Sequence, residues 1–180
     1  VAPAGHGKTR TLVEWTAQAG CPTAWLSLTP REAELTRFAA HLAAALDQTQ
    51  PGLASLLYRH LEAPDRLDPG DLGERFADAL FDLPGDLVLV LDDFHTADSP
   101  AVVAFMTGFI LASPARLHTV IASRRQPAFA LARLRTQGHV EELNASDFRF
   151  SPADTASLLY ALAGLQATPA PVLDEAGQPL

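Results

Sequence analysis

The opening residues Val1-Ala2-Pro3-Ala4-Gly5-His6-Gly7-Lys8-Thr9-Arg10 constrain this chain more than any other stretch, because two glycines precede Lys-Thr and lead straight into a helical pattern. Glycine enters left-handed backbone without a Cβ penalty, so the chain can curl until successive N–H groups face one concavity. The positive end of the following helix faces the same concavity and favours an anion there. The spacing predicts a phosphate-binding loop. Ala4, Gly5, His6, Gly7, Lys8, Thr9 and Arg10 would surround the phosphates, with the Lys8 ammonium on the terminal ones and the Thr9 hydroxyl on Mg²⁺. Composition adds to this: of 13 basic residues, Lys8 is the sole lysine and the others are arginine. A compact ammonium is kept where a planar guanidinium cannot stand in. The plainer alternative is a Gly-rich helix entry with a solvent-facing Lys.

The chain has 180 residues, 48% of them apolar, enough for one domain with a sizeable core. A loop of this kind follows a buried strand, and only Val1 and Ala2 stand ahead of Pro3; a strand before Val1, in a longer chain, is therefore expected. No apolar run reaches the roughly 18 residues of a membrane span, and nothing resembles a signal peptide. The single cysteine, Cys21, excludes an internal disulfide and fits a cytoplasmic location. A net charge of −8 argues against this segment gripping nucleic acid itself.

Leu12, Val13, Trp15 and Ala19 recur at helical spacing from Lys8 to Ala19, and Gly20 with Cys21-Pro22 supplies the stop. Thr23 to Leu28 reads as a short buried strand. Thr29-Pro30-Arg31-Glu32 is an N-cap, a first-turn proline and a capping-box acid, predicting a helix from Pro30 to about Asp47 with Leu35, Phe38, Leu42, Ala45 and Leu46 inward. Breaks at Pro51-Gly52, Pro64 and Pro69-Gly70 divide Gln50 to Leu83 into a short and a longer helix. Leu87-Val88-Leu89-Val90-Leu91-Asp92-Asp93 lacks alternation, as does a strand covered on both faces. Ser99-Pro100 caps a helix ending near Ser113-Pro114. Leu117 to Ser123 is a strand, Pro127 to Thr136 a helix stopped by Gly138, His139 to Leu143 another strand, and Ser151-Pro152 opens a last helix ending at Gly164. The nucleotide-binding domain is placed at residues 1–165, with 166–180 a linker or the start of a following module. With the missing first strand, five strands alternate with helices: an α/β fold with a parallel sheet between helical layers.

Three strand ends then carry complementary polar groups on one edge of that sheet: the loop, Asp92-Asp93 and Arg124. Asp92 suits the Mg²⁺ shell, a hard ion that takes one or two carboxylates with phosphate oxygens and water. Asp93 is placed to polarise an attacking water, and Arg124 to neutralise the outermost phosphate. Taken singly, the acids read as a solvated strand end and Arg124 as a surface arginine. His95 invites a zinc reading, but the histidines at 41, 60, 118 and 139 are scattered without ligand spacing, and zinc is set aside. Five arginines lie from Arg116 to Arg135 with no acid between Ser99 and Val140. They read as a solvated face or as a contact with a partner domain or a neighbouring subunit's nucleotide.

The loop at 2–9, Leu87 to Asp93 with Phe94-His95, Ile121-Ala122-Ser123-Arg124 with Pro127 and Leu131-Ala132-Arg133-Leu134-Arg135, and Leu143 to Phe150 closing on Ser151-Pro152 together resemble the nucleotide-binding (NB-ARC/NACHT-like) domain of the MalT-like, LuxR-type large ATP-binding regulators. These belong to the STAND-class P-loop NTPases. The resemblance spans most of residues 1–165. It implies ATP and ADP with Mg²⁺, a strand order of 5-1-4-3-2, and a switch resting with ADP and active with ATP. It also implies winged-helix and helical-repeat domains in the same chain, a C-terminal DNA-binding module outside these residues, and self-association of the ATP form. Ala2 stands where the general loop begins with Gly, and His6 where many relatives carry Tyr; neither removes an N–H donor. His6 reads as an exposed spectator. The sequence thus predicts a slowly hydrolysing ATPase switch of a transcriptional regulator. Its rivals are another P-loop ATPase or kinase, or a non-hydrolysing nucleotide-binding interaction module.

Overall fold

β2 (Leu87–Asp92) is the middle strand of the sheet, and all six of its residues are buried, as its unbroken apolar run predicts. A computed structural model describes residues 1–61 and 68–149. β2 pairs in parallel with β1 (Thr23–Ser27), from Thr23↔Val88 to Ser27↔Asp92, and with β3 (Leu117–Ile121), from Leu87↔Leu117 to Leu91↔Ile121. Parallel neighbours need crossovers, and helices supply them. α1 (Lys8–Gln18) precedes β1; α2 (Leu35–Thr49), α3 (Leu53–Leu61) and α4 (Pro69–Asp78) connect β1 to β2; α5 (Pro100–Ala112) connects β2 to β3; and α6 (Ala132–Thr136) follows. The chain is therefore α/β. The three strands lie in the order β1-β2-β3.

The core lies between the sheet and α2–α5. Leu87, Leu89 and Leu91 alternate onto that side and meet Phe38, Leu42 and Leu46 of α2, Leu57 of α3, Phe76 of α4, and Phe105 and Phe109 of α5. Phe105 is the hub: its ring meets Phe76 at 5.1 Å and Phe38 at 5.8 Å, both edge to face. α4 and α5 touch backbone to backbone because both carry glycine at the contact. A Cβ on Gly73 would collide with the Phe105 carbonyl and lie 2.8 Å from Phe109 N, and one on Gly108 would collide with the Gly70 carbonyl. No helix among the described residues is long and apolar enough to cross a membrane.

Several expectations need correction. The helix predicted from Pro30 is two elements. The capping box closes a short 3-10 turn (Pro30–Ala33), and Glu34 (φ −84°, ψ 124°) then opens α2 by accepting from Thr36 N and Arg37 N, each at 2.8 Å. The helix predicted from Pro127 begins only at Ala132. Gln126 offers no short capping side chain, and Phe129 instead packs on Phe94 at 5.2 Å. β3 ends at Ile121 rather than Ser123. No strand forms over 139–143. Among the described residues, this segment meets the start of the chain through one hydrogen bond, from the Val1 amino group to Leu143 O. A ladder needs more partners than that. Of the four strands expected from Val1 onward, three thus occur among the described residues. The helix predicted from Ser151 and the segment 166–180 lie outside the described residues.

Candidate functional site

Gly5 and Gly7 take φ of 81° and 75°, the left-handed backbone that the loop requires and that a Cβ would oppose. Gly7 is the N-cap of α1, and no side chain caps that end. The first-turn amides of the helix, which lack intrahelical acceptors, therefore face outward with the positive end of the helix behind them. Lys8 folds across the loop, donating to Ala2 O at 2.5 Å and Pro3 O at 2.8 Å. Two of its three ammonium donors are engaged in this way. His6 stays local, its Nδ1 3.3 Å from Ala4 O. The Arg10 side chain turns away along α1 to Glu14 at 2.8 Å, so its guanidinium takes no part in the loop.

The loop and the sheet meet through Thr9. Its hydroxyl donates to Asp92 Oδ2 at 2.8 Å, while Asp92 Oδ1 accepts from Asp93 N at 2.9 Å. Asp92 is only 4% exposed, and neither of those partners brings a positive charge. A buried carboxylate beside a hydroxyl, both hard oxygen donors, fits a divalent cation as counter-charge. Among the described residues no three His, Cys, Asp or Glu side chains could hold an ion by themselves. An ion here would need phosphate oxygens and water to complete its shell, which is how Mg²⁺ is commonly bound.

Asp93 leaves the strand with φ 55°, the one non-glycine residue with positive φ among those described. Its carbonyl accepts from Thr96 N at 3.0 Å and from Thr96 Oγ1 at 2.9 Å, closing the 3-10 turn Phe94–Thr96. The turn is pinned to the end of β3 by Phe94 N→Ala122 O at 2.9 Å. Ser123, buried next to Arg124, accepts at its carbonyl from Ala2 N at 3.2 Å, so the loop starts beside the residue that precedes Arg124. The Arg124 side chain itself is exposed.

Lys8, Thr9, Asp92 and Asp93 are thus brought together with the backbone of Ala4, Gly5, His6, Gly7 and Arg10, and Arg124 is adjacent through Ser123. Three participants escaped the sequence reading. Ser123 bridges loop and strand. Arg125 donates from Nη2 to His95 O and to the Asp98 carboxylate, all at 3.1 Å. His95 lies 3.7 Å from Asp93 through Nδ1. Arg125 is indistinguishable from Arg124 in sequence, and the other two act through contacts that spacing does not encode. An open groove of about 720 Å³ lies elsewhere, between α4, α5 and residues 128–130. That does not compete with the loop, because a phosphate cradle made of backbone N–H groups needs no deep cavity. A scan of protein families finds none that matches the chain.

Proposed function

We propose that this chain is an ATP-binding, slowly hydrolysing switch domain of a multidomain signal-transducing regulator, of the STAND class that its sequence resembles. The observation that carries the reading is the Thr9 Oγ1–Asp92 Oδ2 hydrogen bond of 2.8 Å, which joins the end of the Gly-Lys-Thr loop to the acid that ends the central strand. The amides of the first turn of α1 and Lys8 would hold the phosphates, and Thr9 and Asp92 would hold Mg²⁺, which supplies charge neutralisation when bound. Asp93 accepts a hydrogen bond from the attacking water. The water oxygen bonds to the γ-phosphorus, the bond to the β–γ bridging oxygen breaks, and the water proton passes to the Asp93 carboxylate, leaving ADP and phosphate. Arg124 stabilises the γ-oxygens.

The bonds of Ala2 to Ser123 and of Val1 to Leu143 support the wider five-strand order, since they set the first residues between the end of β3 and residue 143. Calorimetric titration with Mg-ATP tests the reading. Lys8→Ala should eliminate binding, and unchanged affinity would sink the proposal. Asp93→Asn should retain binding while turnover falls by about 10²-fold or more. Equal turnover in both forms removes Asp93 from its role.

A further inference from the structure

Among the described residues, one buried side-chain nitrogen or oxygen has no hydrogen-bond partner: His95 Nδ1. Leaving such a group unpaired is unfavourable and rare in folded proteins, so the neighbours of this nitrogen matter. The acid beside it is Asp93, whose Oδ1 is 3.7 Å away, too far for a hydrogen bond and too near for an unrelated neighbour. The imidazole is 15% exposed and the Asp93 side chain 45%, so the pair has a closed end at the histidine and an open end at the acid. No hydrogen bond holds the Asp93 carboxylate among the described residues, although the backbone on both sides is fixed. The Asp93 carbonyl is held by Thr96, Phe94 N by Ala122 O, and the His95 carbonyl by Arg125, itself anchored on Asp98. What remains free is rotation of the carboxylate.

We propose that His95 is a positioning residue for the hydrolytic step, donating from Nδ1–H to Asp93 Oδ1 and so aiming the other carboxylate oxygen at the attacking water. This rests on the nucleotide reading above. The 3.7 Å contact closes to hydrogen-bond length in the reacting complex, where hydrogen bonds in catalytic sites commonly tighten. A base aimed by a third group is a recurring arrangement, and here it accounts for both the unpaired nitrogen and the unheld carboxylate. His95 touches neither nucleotide nor water; it acts through Asp93.

The test uses the 180-residue chain and three variants that separate shape from hydrogen bonding. His95→Asn sets an amide nitrogen near the position of Nδ1, His95→Gln sets one near Nε2, and His95→Phe keeps a ring without a donor. Affinity for a fluorescent ATP analogue should stay within about twofold in all three, because only transition-state stabilisation is removed. Turnover should remain near wild type in His95→Asn and fall about 10- to 100-fold in His95→Gln and His95→Phe. His95→Phe should cost nothing further in an Asp93→Asn background. Wild-type turnover in His95→Phe, equal turnover in the Asn and Gln variants, or an undiminished loss in the Asp93→Asn background overturns the proposal. Nitrogen-15 NMR of the wild-type imidazole gives a readout independent of turnover and of variant folding. The Nδ1–H tautomer should be present and should shift on adding a non-hydrolysable ATP analogue; the opposite tautomer, or no shift with analogue bound, overturns the proposal. Failure of the wild type to bind the analogue overturns the nucleotide reading itself, a result separable from bound nucleotide with an indifferent His95.

Discussion

Asp93 holds its backbone at φ 55°, where an L residue with a branched Cβ is strained by roughly 1–2 kcal/mol and a short polar side chain is better tolerated. Asp93→Gly and Asp93→Asn should therefore leave the urea midpoint near wild type, while Asp93→Val lowers it. The loop side chains were legible because Lys8, Thr9 and the acids at the end of β2 carry their chemistry in local order. His95 was legible only as a residue type, since its meaning comes from a 3.7 Å approach to Asp93. A second residue with a pH consequence is Glu32, 4% exposed at the start of the β1–α2 connection. Burial pushes its carboxyl up, but hydrogen bonds from the Thr29 hydroxyl and amide, with His41 beside it, outweigh burial and hold the pKa below the usual carboxylate value. The folded form thus binds its proton less readily than the unfolded one. Its contribution is full above the ordinary carboxylate pKa of about 4.5 and is lost as pH falls through the lower folded value. Denaturation of wild type and Glu32→Gln should give stability curves that converge below pH 4.5.

The elements follow the sequence where one local signal acts alone. The apolar run of β2 leaves no other reading, and Ser99 caps α5 through its hydroxyl, accepting from Val102 N at 3.3 Å, with Pro100 in the first turn. Legibility fails where two local signals compete or where a tertiary contact decides. Thr29 and Glu34 both cap, so one expected helix becomes a turn and a helix. Phe129 goes to Phe94 and takes the preceding turn of a helix with it. The α4–α5 contact was equally hidden, because Gly70 reads as a breaker beside Pro69 and no local signal marks Gly73 and Gly108 as a seam. Gly73→Ala should destabilise by about 1–3 kcal/mol, as overpacking does, whereas Gly85→Ala, which meets nothing within 4 Å, should stay within about 0.5 kcal/mol of wild type. Thermal melts of the two variants make the comparison.

Across the whole molecule, the arginines between 116 and 135 are largely spent internally. Arg116 donates to Pro84 O at 2.9 Å, Arg125 pairs with Asp98, and Arg135 meets Glu142 at 2.7 Å. With a net charge of −8, this leaves little for a phosphate backbone, and the chain should not retard duplex DNA even at low salt. For the switch proposed above, moving from almost fully off to almost fully on would take about 5.5 kcal/mol of differential binding, more than nucleotide alone need supply, so a second signal would act with it. Nucleotide binding itself should appear as stability: ATP at one hundred times its Kd adds about 2.7 kcal/mol, raising Tm in wild type and leaving Lys8→Ala unmoved. α1 offers a more direct view of the same event. It buries no residue, so the loop at its N-terminus and the Thr9–Asp92 bond are its firmest ties to the sheet. Its Trp15 is 44% exposed, while the chain's other tryptophan, Trp25, sits in β1 with its indole N–H on Ser27 Oγ at 3.1 Å. The protein therefore carries its own optical gauge: iodide should quench the more exposed Trp15 more strongly than the half-buried Trp25, and a change in that quenching on adding ATP would report a movement of α1.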